Sequence, residues 1–283
     1  MRFGSVITGL ALVAFVAANT ARAQETEDEI VQRYMQQAVS KQTHKAGWAS
    51  INFSVDRINR QNDYNDFATL ESANLTNGTF GWVEQGFAFG VDFGMMVKNR
   101  FAWSVGGEYW LKMGDELPAN DSYYLQSSGT NVTANPKSQM QVYGISTSLH
   151  YYVLNPPKPV TLLNALSVRV GGSVGFYSVS WDLWPEYENL NLSTSEPVNI
   201  NTTYKGTAPG FSAGLGVEYP LNVFNLAISS EASYLYLNFT NVAWYNSQDQ
   251  EIVASVDGTK NGRVDLDFSG IRGKVELRKY FSW

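Results

Sequence analysis

Two histidines and a few close carboxylate pairs are the side chains of this 283-residue chain best suited to acid–base or metal chemistry. His150 is followed by Tyr151, Tyr152 and Val153, and shares an alternating face with Ser146 and Ser148. A lone His among hydroxyls is more often a structural hydrogen-bonder than a base, and His44 has no evident partner. The pairs Asp115 with Glu116, Glu186 with Glu188 and Asp249 with Glu251 suit solvated charges or weak divalent-cation ligands. With no Cys, disulfide scaffolds, thiolate metal sites and a cysteine nucleophile are excluded. The expectation is no catalytic residue, no cofactor and no metal centre.

What must position these groups is a set of strands. From residue 46 onward the chain has period two. Ile51, Phe53 and Val55 open the pattern, followed by Phe87 to Val97, Phe101 to Leu111 and Tyr143 to Tyr151. Leu166 to Phe176, Phe211 to Tyr219, Phe224 to Tyr236 and Ile271 to Trp283 complete eight runs. Short turns follow alternate strands, at Lys98-Asn99-Arg100, Val153–Leu162 and Pro220-Leu221-Asn222. The other connections are long polar segments, roughly 57–83, 113–137, 181–203 and 240–263. Long loops gathered at one end predict an all-β, eight-stranded antiparallel up-and-down transmembrane β-barrel, with short periplasmic turns and long extracellular loops.

Composition agrees. Charged residues make up 16%, below the ~25% of an ordinary soluble domain, while aromatics reach 14%. A net charge of −6 without basic clusters speaks against nucleic acid as a partner. A mean hydropathy of −0.22 excludes a polytopic helical membrane protein. Residues 1–23 are expected to be a cleaved signal peptide, with Arg2, the apolar run Val6–Ala18 and the A-x-A site Ala21-Arg22-Ala23. Residues 24–45 read as a periplasmic leader, able to form a short helix, and 46–283 as the barrel.

The two faces of the strands differ in kind. One carries Phe101, Trp103, Tyr151, Tyr219, Phe224, Phe281 and Trp283 near the short turns. Phe87, Tyr109, Tyr143, Phe176, Phe211, Tyr234 and Tyr236 lie near the long loops, with Val91, Val105 and Val170 between. Two aromatic girdles around an aliphatic band match a lipid-facing surface. The other face carries Asp56, Asp92, Glu108, Arg169, Glu218, Glu231, Arg272, Lys274, Glu276 and Arg278, with Glu84 and Lys112 assigned to it as well. An eight-stranded barrel is just wide enough for side chains to fill it, so these charges must pair into an ionic plug. Lys279 is the one charge on the lipid face. The third long segment, with Trp181, Trp184 and Tyr187, offers candidate loop contacts, or else caps the barrel mouth.

The final strand, Val275-Glu276-Leu277-Arg278-Lys279-Tyr280-Phe281-Ser282-Trp283, resembles the assembly signal of small bacterial outer-membrane β-barrels of the OmpX/OmpA-barrel type. Val275, Leu277, Phe281 and Trp283 carry the resemblance; Trp283 replaces the usual Phe and Lys279 interrupts the alternation. The resemblance covers residues 47–283. It implies a bacterial outer-membrane location, contact with outer-membrane lipid and lipopolysaccharide, and handling by periplasmic chaperones and the barrel-assembly machinery. Enzymes of this barrel size that act on lipid A place a His in an external loop or use His-x-Ser-Asn. The four long segments here lack His, and His150 is not followed by Ser at the required position. The sequence therefore points to a non-enzymatic barrel with a charge-plugged lumen. Its loops would serve a structural or adhesive, ligand-binding role toward an unknown extracellular ligand. A narrow, weakly cation-selective channel is the alternative, and a lipid A-modifying enzyme the third reading.

Overall fold

The computed structural model describes residues 46–74, 79–116, 122–125, 130–157, 166–188, 202–221, 224–246, 248–251 and 263–282. The expected signal peptide, the leader and Trp283 lie outside them. The described elements are β1 (Ala46–Arg57), α1 (Asp63–Asn74), β2 (Gln85–Lys98), β3 (Phe101–Glu116), β4 (Ser122–Leu125) and β5 (Thr130–Leu154). They continue with β6 (Ser167–Glu188), β7 (Thr202–Leu221), β8 (Leu226–Tyr245), β9 (Val264–Asp267) and β10 (Gly270–Ser282).

Each wall strand pairs antiparallel with its neighbour in the order β1, β2, β3, β5, β6, β7, β8 and β10. β10 then pairs with β1, from Ala46↔Ser282 to Asp56↔Arg272, and closes the ring. The protein is an eight-stranded closed barrel, and closure leaves no strand edge to be solvated by hydrocarbon. β4 adds to β5, and β9 to β8, outside the ring proper.

The outer surface shows which solvent it faces. Ile145 is 69% exposed, Leu215 64%, Ile51 62% and Phe93 58%. In water such a continuous apolar belt would be a severe liability, whereas hydrocarbon accepts it. Phe101, Trp103, Tyr151, Phe224 and Phe281 are exposed at the short-turn end, and Phe87, Tyr143, Phe176, Phe211, Tyr234 and Tyr236 at the other. Tyr109 and Tyr219 are half-buried. The band between is not purely aliphatic, because Phe89 and Phe93 flank Val91 on β2. Lys279 lies on this face near the short-turn end, where its ammonium donates to the carbonyl of Phe224.

Two expectations need correction. The wall strands run into the polar segments at 113–137 and 181–203: β3 runs to Glu116, β5 starts at Thr130 and β6 runs to Glu188. Antiparallel ladders do not stop at the membrane surface. They continue while the inner face still has apolar surface to bury, as Val179 and Trp181 do. The segment at 57–83 holds α1, capped by the side chain of Asn62, which accepts from the Asn65 N–H at 3.0 Å.

Candidate functional site

The inner face is built in three layers, and each follows from what period two sends inward. At the short-turn end lie Trp48, Met96, Tyr152 and Tyr280 with Ala46, Ala102 and Ala227, all buried. The Trp48 and Tyr280 rings are 5.9 Å apart. Gly94 on β2 makes the room, since a Cβ there would overlap the Trp48 indole.

The middle layer is ionic, and β10 is its spine. Arg272, Lys274, Glu276, Arg278 and Tyr280 occupy successive inward positions. Arg272 donates through Nε to Asp56 at 2.5 Å, and through Nη1 and Nη2 to both oxygens of Glu108 at 2.9 and 3.0 Å. Lys274 bridges Asp92 at 2.8 Å and Glu276 at 3.2 Å. Arg278 holds Glu276 at 2.6 Å and Glu218 at 2.8 Å. From the opposite wall Arg169 reaches Glu231 at 3.0 Å, Glu276 at 3.4 Å and Glu218 at 3.6 Å. Tyr280 and Tyr152 donate hydroxyls to Glu218 at 2.5 and 3.3 Å. Asn52 donates to Asp92 at 2.6 Å, and His150 Nε2 lies 3.5 Å from Glu231. Burial of this many charges is tolerable only because every carboxylate has at least one cation within reach.

The third layer is apolar and was not legible as such. At the long-loop end the inner face switches to Ala88, Trp110, Val142, Tyr177, Val179, Leu235, Leu237 and Phe239, all buried. Tyr177 lies over Gly144 and Gly210 of neighbouring strands, where a Cβ on Gly210 would come within 2.5 Å of its ring. α1 closes the top. Tyr64 and Ala68 are fully buried, and Tyr64 and Phe67 meet the Trp181 ring at 5.2 and 5.3 Å. Trp181 in turn stacks on Tyr204, and Tyr204 on Trp244, forming a row of rings across β6, β7 and β8. Burial, with Asp63 nearby, raises the pKa of the Tyr204 phenol above its ordinary value and keeps it neutral. Asn65 ties the helix to the segments on either side of it, accepting from the Val83 N–H at 2.8 Å and donating to the carbonyls of Arg60 and Val83.

All ten charged residues assigned to the lumen face it, together with Asn52, Tyr152 and Tyr280, whose polar ends sequence reasoning passed over. Two further residues assigned there do not belong. Lys112 is exposed because a bulge between Trp110 and Met113 turns two successive residues outward. Glu84 sits at the mouth and binds Arg60 at 2.9 Å. Trp181 is a buried cap of the mouth, donating from Nε1 to Ser138 Oγ at 2.8 Å. Trp184 and Tyr187 lie in strand β6 opposite Lys137 and Ala134, and not in a loop. Asp249 and Glu251 are exposed and pair with Lys205 and Arg263. Val275, Leu277 and Phe281 lie on the outer face of β10, opposite Phe53, Ile51 and Gly47 of β1.

No family model and no curated protein matches this chain. Among solved structures, it is similar to Ail, the attachment invasion locus protein of Yersinia pestis, crystallised with the heparin analogue sucrose octasulfate. That match has 10% identity, covers 84% of this chain and 100% of that one, and has a TM-score of 0.42. A major outer membrane protein of Thermus thermophilus has 13% identity, with coverage of 82% and 99% and a TM-score of 0.44. OprG of Pseudomonas aeruginosa has 11% identity, with coverage of 84% and 96% and a TM-score of 0.41. The closed strand order and the apolar outer belt, independently of these likenesses, make the chain an eight-stranded transmembrane β-barrel.

Proposed function

We propose that this protein is a non-conducting, non-enzymatic barrel of the bacterial outer membrane that presents a rigid β crown for contact outside the cell. The observation that carries this reading is the stacking of three closed layers in one lumen: aromatic, ionic and apolar, the last capped by α1. Solutes have no need of a crown, whereas a binding surface gains from one. β5 and β6 stay paired from Leu154↔Val168 to Thr133↔Glu188, well beyond the girdle at Tyr143 and Phe176. A long ladder is a stiff support that loses little entropy on binding. The His content supports the non-enzymatic reading: His150 is buried in the lumen, and His44 lies outside the described residues. The apolar belt and the girdles support a membrane location, with the short turns and both ends of the barrel on the periplasmic side.

The test is a shortened crown. Leu183 and Thr202 are directly opposed, so residues 184–201 can be replaced by a two-residue Asn-Gly type I′ turn. Cells displaying the native and shortened barrels are compared for adhesion to host-type matrix and to abiotic surfaces. Gel mobility before and after heating confirms that both are folded. Loss of adhesion with an intact barrel supports the crown as the contact surface, and equal adhesion by both overturns it. Discrete conductance steps from the refolded native chain in a planar bilayer would overturn the non-conducting part.

A further inference from the structure

Between the ionic spine and the opposite wall lies a polar chamber of about 30 Å³, room for one or two water-sized particles. Hydroxyls form its far side: Ser104, Ser146, Ser148, Ser173, Ser212 and Ser233. Four carboxylates also line it, those of Asp92, Glu108, Glu231 and Glu276, against three cations, Arg272, Lys274 and Arg278. Arg169 reaches two of these carboxylates from behind the chamber, and with Asp56 and Glu218 the whole layer sets six carboxylates against four cations, so it carries surplus negative charge. Glu231 has Arg169 as its cation at 3.0 Å, and Arg169 is shared with Glu276 and Glu218.

Two lone-pair groups at the same place have nothing to bind. His150 faces Glu231 with Nε2, so that nitrogen carries the proton and Nδ1 carries the lone pair, and Nδ1 has no partner. Ser233, two residues along β8 from Glu231, has an unpartnered hydroxyl. Both residues are only 7% exposed, and both line the chamber. A buried lone pair beside surplus negative charge is costly, and the ligand that relieves both at once is a small cation with an oxygen-rich shell.

We propose that the chamber is a binding site for one monovalent alkali cation, Na⁺ or K⁺, occluded when β10 closes the ring. A chamber of this size walled by neutral hydroxyls suits a monovalent ion. Mg²⁺ and Ca²⁺ draw on several carboxylates, and those present are already engaged by Arg and Lys. The site is independent of what the crown binds.

To test this, the chain lacking residues 1–23 is refolded in NaCl, KCl or choline chloride at equal concentration, and thermal midpoints are read by gel mobility. A parallel refolding in radioactive sodium is desalted and counted. The expected result is a midpoint several degrees higher in the alkali salts than in choline, with sodium retained stoichiometrically after desalting. Glu231→Gln removes the negative charge beside His150 and Ser233 and should abolish both effects. Ser233→Val, which deletes a ligand and leaves the ion pairs in place, should weaken both and serves where Glu231→Gln does not fold. Equal midpoints in all three salts with no retained sodium overturn the proposal. So does a midpoint that follows pH but not the cation, since the missing charge would then be a proton.

Discussion

Replacing Arg272 by Met is the most direct test of the ionic layer. The substitution keeps most of the stem volume beside Trp110, over whose ring the guanidinium sits at 5.5 Å, and removes the charge with its N–H donors. Three hydrogen bonds to two carboxylates disappear. Asp56 keeps one donor, the Ser54 hydroxyl at 3.1 Å, and Glu108 keeps the Trp110 indole at 3.2 Å. Asp56 is 2% exposed, so water cannot replace what was lost. Stranding a buried charge in this way costs about 3–5 kcal/mol. At about 1.4 kcal/mol per tenfold, the unfolding constant rises by two to four decades. The assay is equilibrium urea unfolding in lipid vesicles, followed by Trp fluorescence. Arg272→Met combined with Asp56→Asn and Glu108→Gln should recover most of the loss, because neutral sets often replace buried ion pairs at little cost. A single variant that loses less than about 1 kcal/mol, the size of an exposed pair, would refute the reasoning. A triple variant no better than the single would refute it equally.

Two shorter predictions address the outer face and the cap. Val91→Arg places a charge on the lipid side near the middle of β2 and should cost about 2–4 kcal/mol in vesicles. Gly90→Arg, one residue away and pointing inward, should act by crowding Asn52, whose side chain lies within 2.7 Å of where a Cβ would stand. A silent Val91→Arg would mean the facing is wrong. Tyr64→Ala empties a fully buried site in α1 and should cost the helix docking about 3–5 kcal/mol. Because α1 is not part of the wall ladder, protease cleavage within 58–84 should accelerate while heat-modifiable mobility is unchanged. Unchanged cleavage would show that α1 does not depend on this contact.

The barrel was legible because period two fixes which face each residue takes, and this assigned Arg169 and Arg272 to the lumen without knowledge of their partners. The partners were not legible. Arg272 with Glu108 and Arg169 with Glu276 join strands that are not adjacent, so their pairing depends on the curvature of the closed ring. Lys112 was misplaced because a bulge at Leu111 and Lys112 breaks the count, and the glycine beside it, Gly114, lies past the break rather than in it. The apolar upper layer was missed for a different reason. Tyr177, Val179 and Trp181 continue the alternation unbroken, but lie on the face that lower down carries Gly, Ser and Arg. Alternation reports facing and says nothing about which side of the wall is wet.

The ionic spine also supplies something the apolar pattern cannot, which is the register of the closing strand. A slip of β10 by one residue turns Leu277 inward and is excluded by burial alone. A slip by two keeps every apolar residue outward, so hydrophobicity does not oppose it. The charges do. In the observed register Lys274 lies opposite Glu231 of β8, and Arg272 opposite Asp56 of β1. Sliding β10 two residues one way sets Glu276 against Glu231, and the other way sets Gly270 against Asp56. The first opposes like charges, and the second strands a buried carboxylate. Lys274→Glu removes the pairs with Asp92 and Glu276 and sets a like charge opposite Glu231, so it should loosen closure. Register is read from disulfide formation between cysteines replacing Ile51 and Leu277, which face each other across β1 and β10. Full crosslinking in Lys274→Glu would show that the strand holds its place without the charges. Crosslinking lost in Lys274→Glu, in a barrel that still forms, would identify the ion pairs as what sets it.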